Sequence, residues 1–254
     1  MSLILTSLTD GVLTITLNEP ARRNPLSQAM RDDIVGALTP LPADLRAVIL
    51  TGEDGAFSAG GDLASMPPQD REASVERMNG VGDFMRFFVD LPIVTIAAVE
   101  GAAAGASVGL VCACDFVVAG RGARFLLPFA RLGIVPDGGL LSLLPARVGL
   151  VRARRLFLDS RPINAEDGAT FGLVDELVDS GQALTAAQAL ATRLAQRAPG
   201  SVAHTKRALA GGVPSLESAL QAENAGQAEL FFTEDFREGK QAFFDKRSPQ
   251  FTRR

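Results

Sequence analysis

The sequence predicts an α/β protein with a helical C-terminal region, and three observations carry that reading. Short apolar runs recur at residues 47–50 (AVIL), 93–96 (IVTI) and 116–118 (FVV), each too short for a helix and rich in β-branched residues. Amphipathic or small-residue helical stretches separate them, and beyond Gly181 the pattern is almost wholly helical. Runs without polar alternation are expected of strands buried on both faces, and strands alternating with helices build a largely parallel sheet. With 254 residues, 47% of them hydrophobic and 21% charged, the chain has ample material for one large core.

In order, residues 3–8 and 12–17 read as a hairpin about the turn Asp10-Gly11. A polar segment, residues 18–25, leads into an amphipathic helix from Ser27 to about Leu38. The strand at 47–50 ends in a Gly-rich loop reaching Leu63, and a helix over residues 71–89 returns the chain to the strand at 93. Residues 91–120 are apolar enough to imitate a membrane span, with Glu100 and Asp115 their only charges. Their β-branched start, Gly/Ala-rich middle and β-branched end instead read as strand, tight loop, buried helix to Cys114, and strand. A further strand is expected at 173–178, and helix breaks near Pro199-Gly200 and residues 211–214.

Composition excludes several functions. A net charge of −4 argues against a nucleic-acid binder with a broad basic face. The single histidine, His204, excludes a three-histidine metal site, and no metal is expected. Cys112 and Cys114, two apart in one segment, read as small buried hydrophobes and not as a disulfide. The N-terminus has neither the basic flank nor the cleavage site of a secretory signal, so a cytoplasmic protein is expected.

Two Gly/Ala segments follow buried strands, where α/β proteins place ligands. In residues 56–63 (AFSAGGDL), Gly60 and Gly61 permit close backbone approach, which a plain tight turn would also need. Residues 101–109 (GAAAGASVG) open a buried helix whose first N–H groups suit a developing negative charge. The same stretch satisfies G-x-S-x-G, with Ser107 as nucleophile and Asp137, Asp159 or Asp175 ahead of His204. Residues 100–104 separate Ser107 from its strand, however, which is poor context for a nucleophile elbow.

Residues 56–63 and 98–106 (AVEGAAAGA) resemble the two signatures of the crotonase superfamily, the enoyl-CoA hydratases and isomerases. Asn18-Glu19-Pro20 with Arg23-Asn24, residues 132–139 (LGIVPDGG), residues 169–175 (ATFGLVD) and the pattern from Thr233 to Arg247 extend the resemblance along the chain. It implies a spiral of repeated β-β-α units, with residues 1–195 as an acyl-CoA-binding core and 196–254 as a helical oligomerisation region forming trimers or hexamers. It implies an acyl-CoA substrate, with coenzyme A as part of that substrate and no separate cofactor, nucleic acid or membrane partner. By motif position the backbone N–H groups of Gly61 and Ala106 would hold the thioester oxygen. Arg23, Ala59, Asp62, Leu63 and Phe129 would lie along the substrate, Arg22 and Arg23 meeting its phosphates, although Asp62 also reads as structuring its own loop.

The resemblance fails at the two glutamates that hydratases of the family use, whose slots fall on Gly109 and Phe129. Neither can move a proton. Asp137 occupies a position where ring-epoxide and dienoyl-CoA isomerases of the family carry an aspartate, and it is also well placed to cap the helix that follows. The expected reaction is therefore isomerisation with Asp137 as proton shuttle, in a wall of Phe129 and leucines. A Ser107 thioesterase and a catalytically weak thioester binder are the alternatives. The phenylalanines at 231, 232, 236, 243, 244 and 251 are more apolar bulk than the tail can bury in itself, which points to assembly.

Overall fold

Asp10 and Gly11, both at positive φ, turn strand β1 (Ile4–Thr9) back along β2 (Val12–Leu17). The computed structural model describes residues 2–63 and 70–252. After a 3-10 turn at Pro20–Arg22, helix α1 (Gln28–Ala37) starts on a Ser27 cap and delivers the chain to β3 (Ala47–Gly52), parallel to β2. Helix α2 (Arg71–Val89), capped by Asp70, leads to β4 (Val94–Val99), parallel to β3.

From here the chain repeats one unit. Strand β4 joins the main sheet, β5 (Ala102–Ala104) joins a second small sheet, and helix α3 (Ala106–Ala113) follows. Then β6 (Phe116–Gly120) enters the main sheet, β7 (Arg124–Leu126) the small one, and α4 (Phe129–Leu132) follows. The turn built on β3 does the same in abbreviated form, since Ser58 bridges Ala103 of β5 before α2 begins. Helices α5 (Leu140–Val148) and α6 (Leu150–Asp159) precede β8 (Ile163–Asn164), which pairs antiparallel with β7. Helix α7 (Ala165–Phe171) and β9 (Glu176–Val178) complete a main sheet ordered β1-β2-β3-β4-β6-β9.

Alternate residues of the central strands serve two cores. Ala47, Ile49, Val94, Ile96 and Ala98 pack under helix α8 (Ala183–Ala195), while Val48, Leu50, Ala97 and Val99 face the cluster built on α1, α2, α3 and α5. Each fully buried Val, Leu or Ile contributes about 1.5–3 kcal/mol, which explains why these strands read as continuous apolar runs.

Three expectations need correction. The small-residue stretch at 101–105 holds a strand, although AAA carries no β-branching; pairing with residues 124–126 makes it one. The helix ends at Ala113, and Cys114 is extended, its carbonyl taken by Arg147 Nη2 at 2.6 Å. Residues 173–175 are not strand. The Asp175 carboxylate accepts the Val117 N–H at 2.7 Å, and Leu173 and Val174 donate to Gly168 O in the cap of α7. Both cysteines are buried, and burial pushes the Cys112 thiol up to about 12.

Polar ties join the C-terminal helices to the sheet. The Glu100 carboxylate receives Gly181 N and Ala183 N at the start of α8, and Lys206 on α9 (Pro199–Leu209) reaches Ile93 O at 2.7 Å and Asp115 Oδ2 at 2.5 Å. Asp115 also accepts Thr95 N, so this carboxylate ties the starts of the central strands β4 and β6. Helices α10 (Leu216–Leu230) and α11 (Glu234–Asp245) leave Phe231, Phe232, Phe236, Phe243 and Phe244 exposed, by 41% or more each. Among the described residues, no helix is long and apolar enough to cross a membrane.

Removing Lys206 strands the Ile93 carbonyl and the Asp115 carboxylate, so Lys206→Met should lower stability by about 1–3 kcal/mol in urea unfolding. The neighbouring exposed Arg207→Met should change it by less than about 0.5 kcal/mol. Equal losses would show that the Lys206 tie carries no special weight.

Candidate active site

Two loops meet at the ends of β3 and β4, and backbone contacts lock them together. Ala59 N donates to Arg23 O at 2.7 Å, and Leu26 N to Gly60 O at 2.8 Å, so the segment before α1 clasps the Gly-rich loop. Asn24, buried and left-handed at φ 55°, holds the loop's far side: Nδ2 donates to Glu53 O and Ala56 O, and Oδ1 accepts Glu19 N. Gly60 sits at φ 83°, and a Cβ there would stand 2.1 Å from Ala104 O. Only glycine lets the two loops approach this closely.

Ser107 is the stitch between them. Its buried hydroxyl accepts Ala104 N at 2.8 Å and lies 2.8 Å from Ala104 O and 3.1 Å from Ser58 O. His204 stands instead beside Glu229, at 3.3 Å. The G-x-S-x-G match is therefore a structural serine, and the hydrolase alternative is overturned.

Helix α3 starts at Ala106, after Gly105 at φ 53°. Among the described residues, neither Ala106 N nor Gly61 N donates a hydrogen bond within the chain. Gly61 and Ala106 line one small pocket, about 20 Å³, with Asp137 and Gly138, Leu26 just before α1, Arg31 of α1, and Arg77, Met78, Val81, Phe84 and Met85 of α2. Among the described residues, Asp137 is its only carboxylate. Larger cavities of about 690 and 530 Å³ lie against α9 and under the tail helices, away from these convergent groups.

Asp137 does not cap α5. The cap residue is Gly139 with no side-chain bond, and Leu140 N takes the Asp137 backbone carbonyl at 3.2 Å. The carboxylate points elsewhere, with Oδ1 buried and unbonded among the described residues. Burial pushes the Asp137 carboxyl above the usual aspartate value, and its own backbone N–H and the charges of Arg77 and Arg31 hold it back. Burial lowers Arg31, assisted by the like charge of Arg77. The apolar wall comes from Leu26, just before α1, and from Met78, Val81, Phe84 and Met85 of α2. Phe129, expected there, is buried in the core with its ring tip 3.9 Å from where a Gly105 Cβ would be.

The first glutamate slot is closed as well as empty. A Cβ on Gly109 would stand 2.1 Å from Gly138 O, because the Asp137-Gly138 turn lies directly over α3. Gly138, at φ 60°, in turn rests against Ala106, whose carbonyl and Cα would be 3.0 and 3.1 Å from an added Cβ. Arg22 is paired with Asp62 at 2.7 Å and Glu19 at 2.9 Å, so Asp62 structures its loop and Arg22 is not left for phosphates. Arg23, Ala59 and Leu63 are exposed on the approach to the pocket loops, and Arg23 makes no ion pair among the described residues. Sequence reasoning missed Arg31 and Arg77. Arg31 carried a signal, since it falls beside Met30 and one turn before Ile34 on the buried face of α1. Among the described residues, no group of three His, Cys, Asp or Glu could hold a metal ion.

The family model for enoyl-CoA hydratase/isomerase matches residues 7–254. A probable enoyl-CoA hydratase of Rhodobacter capsulatus is 36% identical, covering 97% of this chain and 96% of that protein. The 1,2-epoxyphenylacetyl-CoA isomerase and the 2,3-dehydroadipyl-CoA hydratase of Escherichia coli are 35% and 36% identical, each over 99% of both chains. The crystal structure of an enoyl-CoA hydratase from Bacillus anthracis superposes with a TM-score of 0.93 at 32% identity, covering 99% of this chain and 100% of that one.

Gly109→Ala should cost about 1–3 kcal/mol of stability as an overpacked contact, and should displace the Asp137 turn. Thermal unfolding together with turnover checks this. A stable, fully active Gly109→Ala protein would mean that the turn has room to move.

Proposed function

Because the chain belongs to the enoyl-CoA hydratase/isomerase family and has the crotonase fold, we propose that it isomerises an acyl-CoA thioester through an enolate, with Asp137 as the proton shuttle. One observation carries this reading. Among the described residues, Asp137 is the only carboxylate on the pocket that Gly61 and Ala106 line, while the Gly138 carbonyl fills the space a glutamate at 109 would need.

The thioester oxygen accepts the N–H groups of Gly61 and Ala106, the second at the positive end of α3. That oxygen gains charge as the enolate forms, and one such prealigned donor is worth about 2.7–4 kcal/mol in the transition state. Asp137 takes a proton from the acyl chain, keeps it, and returns it at another carbon, so the double bond moves or a strained ring opens. Hydration would require a second acid or base beside the attacking water. Desolvation raises the Asp137 carboxyl and strengthens it as a base, while the charges of Arg77 and Arg31 oppose that rise. Coenzyme A arrives as part of the substrate and the reaction is redox-neutral, so no further cofactor is needed. Arg23 meets the phosphates of coenzyme A, and Ala59 and Leu63 flank its thioester arm. The exposed phenylalanines of α10 and α11 support a homo-oligomer, a trimer or a pair of trimers.

Asp137→Asn should lower isomerase turnover and α-proton exchange in heavy water by a factor of roughly 10² or more, with acyl-CoA affinity changed only a few-fold. Retained turnover would remove Asp137 from the mechanism. Since the base acts deprotonated, kcat/KM should fall as pH drops through an apparent pKa above the usual aspartate value, and this acid limb should vanish in Asp137→Asn. Analytical ultracentrifugation at micromolar concentration should show a trimer or hexamer, and a monomeric mass would defeat the assembly.

A further inference from the structure

Two buried polar atoms at the pocket have no hydrogen-bond partner among the described residues, Arg31 Nε and Asp137 Oδ1. One is a donor and the other an acceptor, and both side chains line the same pocket as Gly61 and Ala106. Arg31 is only 6% exposed. Its Nη1 donates to Leu26 O at 2.8 Å and its Nη2 to Gln28 Oε1 at 2.6 Å, so the guanidinium is fixed and Nε is the donor left over.

Tying down the start of α1 uses only the two terminal nitrogens. An apolar side chain beside Met30 would pack there without desolvating a charge. Buried polar groups are ordinarily bonded, and a leftover donor facing a reaction pocket is matched by a group that arrives with the ligand. The remaining side chains around it, Leu26, Met78, Val81, Phe84 and Met85, offer no strong acceptor.

We infer that Arg31 is a specificity-determining residue, its Nε donating to an oxygen atom carried by the acyl group on the carbon β to the thioester carbonyl. The position rests on the enolate reading, which puts the α-carbon at Asp137. The pocket has room for about one small polar group, so the oxygen lies within a bond or two of that carbon. A hydroxyl there satisfies both orphaned atoms, accepting from Arg31 Nε and donating to Asp137 Oδ1. An ether or carbonyl oxygen satisfies Arg31 alone.

Calorimetric titration with butyryl-CoA and with each enantiomer of 3-hydroxybutyryl-CoA tests this, because the ligands differ by one oxygen. The wild-type protein should bind one hydroxy enantiomer about tenfold or more tighter than butyryl-CoA. In Arg31→Met that preference should fall to within about twofold. A wild-type preference below about twofold overturns the inference without recourse to any variant. Equal weakening of all three thioesters in Arg31→Met overturns it too, leaving Arg31 a structural tie of α1. Exchange of the butyryl-CoA α-protons in heavy water, measured alongside, separates the two ideas. Absent exchange with an intact Arg31-dependent preference strikes the enolate reading, whereas exchange without the preference strikes only the role of Arg31.

Discussion

The contact between Gly109 and the carbonyl of Gly138 organises the site. It is backbone against helix, with no side chain between, and it lets the turn after residue 136 descend onto the first turn of α3. Everything chemical follows from that descent. Asp137 is carried to the pocket, Gly138 settles on Ala106, and the space above residue 109 is filled. With a side chain at 109 the turn would ride higher, and Asp137 would leave the neighbourhood of the α3 N-terminus.

The electrostatics of the pocket are a balance of opposing effects. Leu26 and the apolar residues of α2 desolvate Asp137 and favour its neutral form, while Arg31 of α1 and Arg77 of α2 favour its anion. Desolvation is the larger effect, so the carboxyl is displaced upward. The segments that cover the pocket thus supply the dielectric and the charge around Asp137 together.

Much of this was legible in the sequence because it lay in glycine, proline and apolar spacing. The hairpin at Asp10-Gly11, the strands at 47 and 94, and the paired loops around Gly60 and Gly105 each follow from residues with restricted backbone choices. The three-residue strands β5 and β7 were not legible, since their pairing is supplied by each other and by Ser58 and not by local preference. Ser107 misled for a related reason. A serine in a glycine frame can be a nucleophile or a stitch, and only the positions of Ser58 O and Ala104 N decide. The wall around Asp137 was misassigned to Phe129 because contacts from α2 are long-range and leave no mark near residue 137.

At Gly61 and Ala106, which line the pocket, the polar groups belong to the main chain, and this has a consequence for inheritance. Any substitution at either residue except proline leaves an N–H in place. The groups that move protons are side chains, free to be exchanged one codon at a time. A lineage built on such a site can lose one polar side chain and acquire another while both amides persist through every intermediate sequence. Here, however, a glutamate at 109 is barred to a single step, because the Gly138 carbonyl must move first.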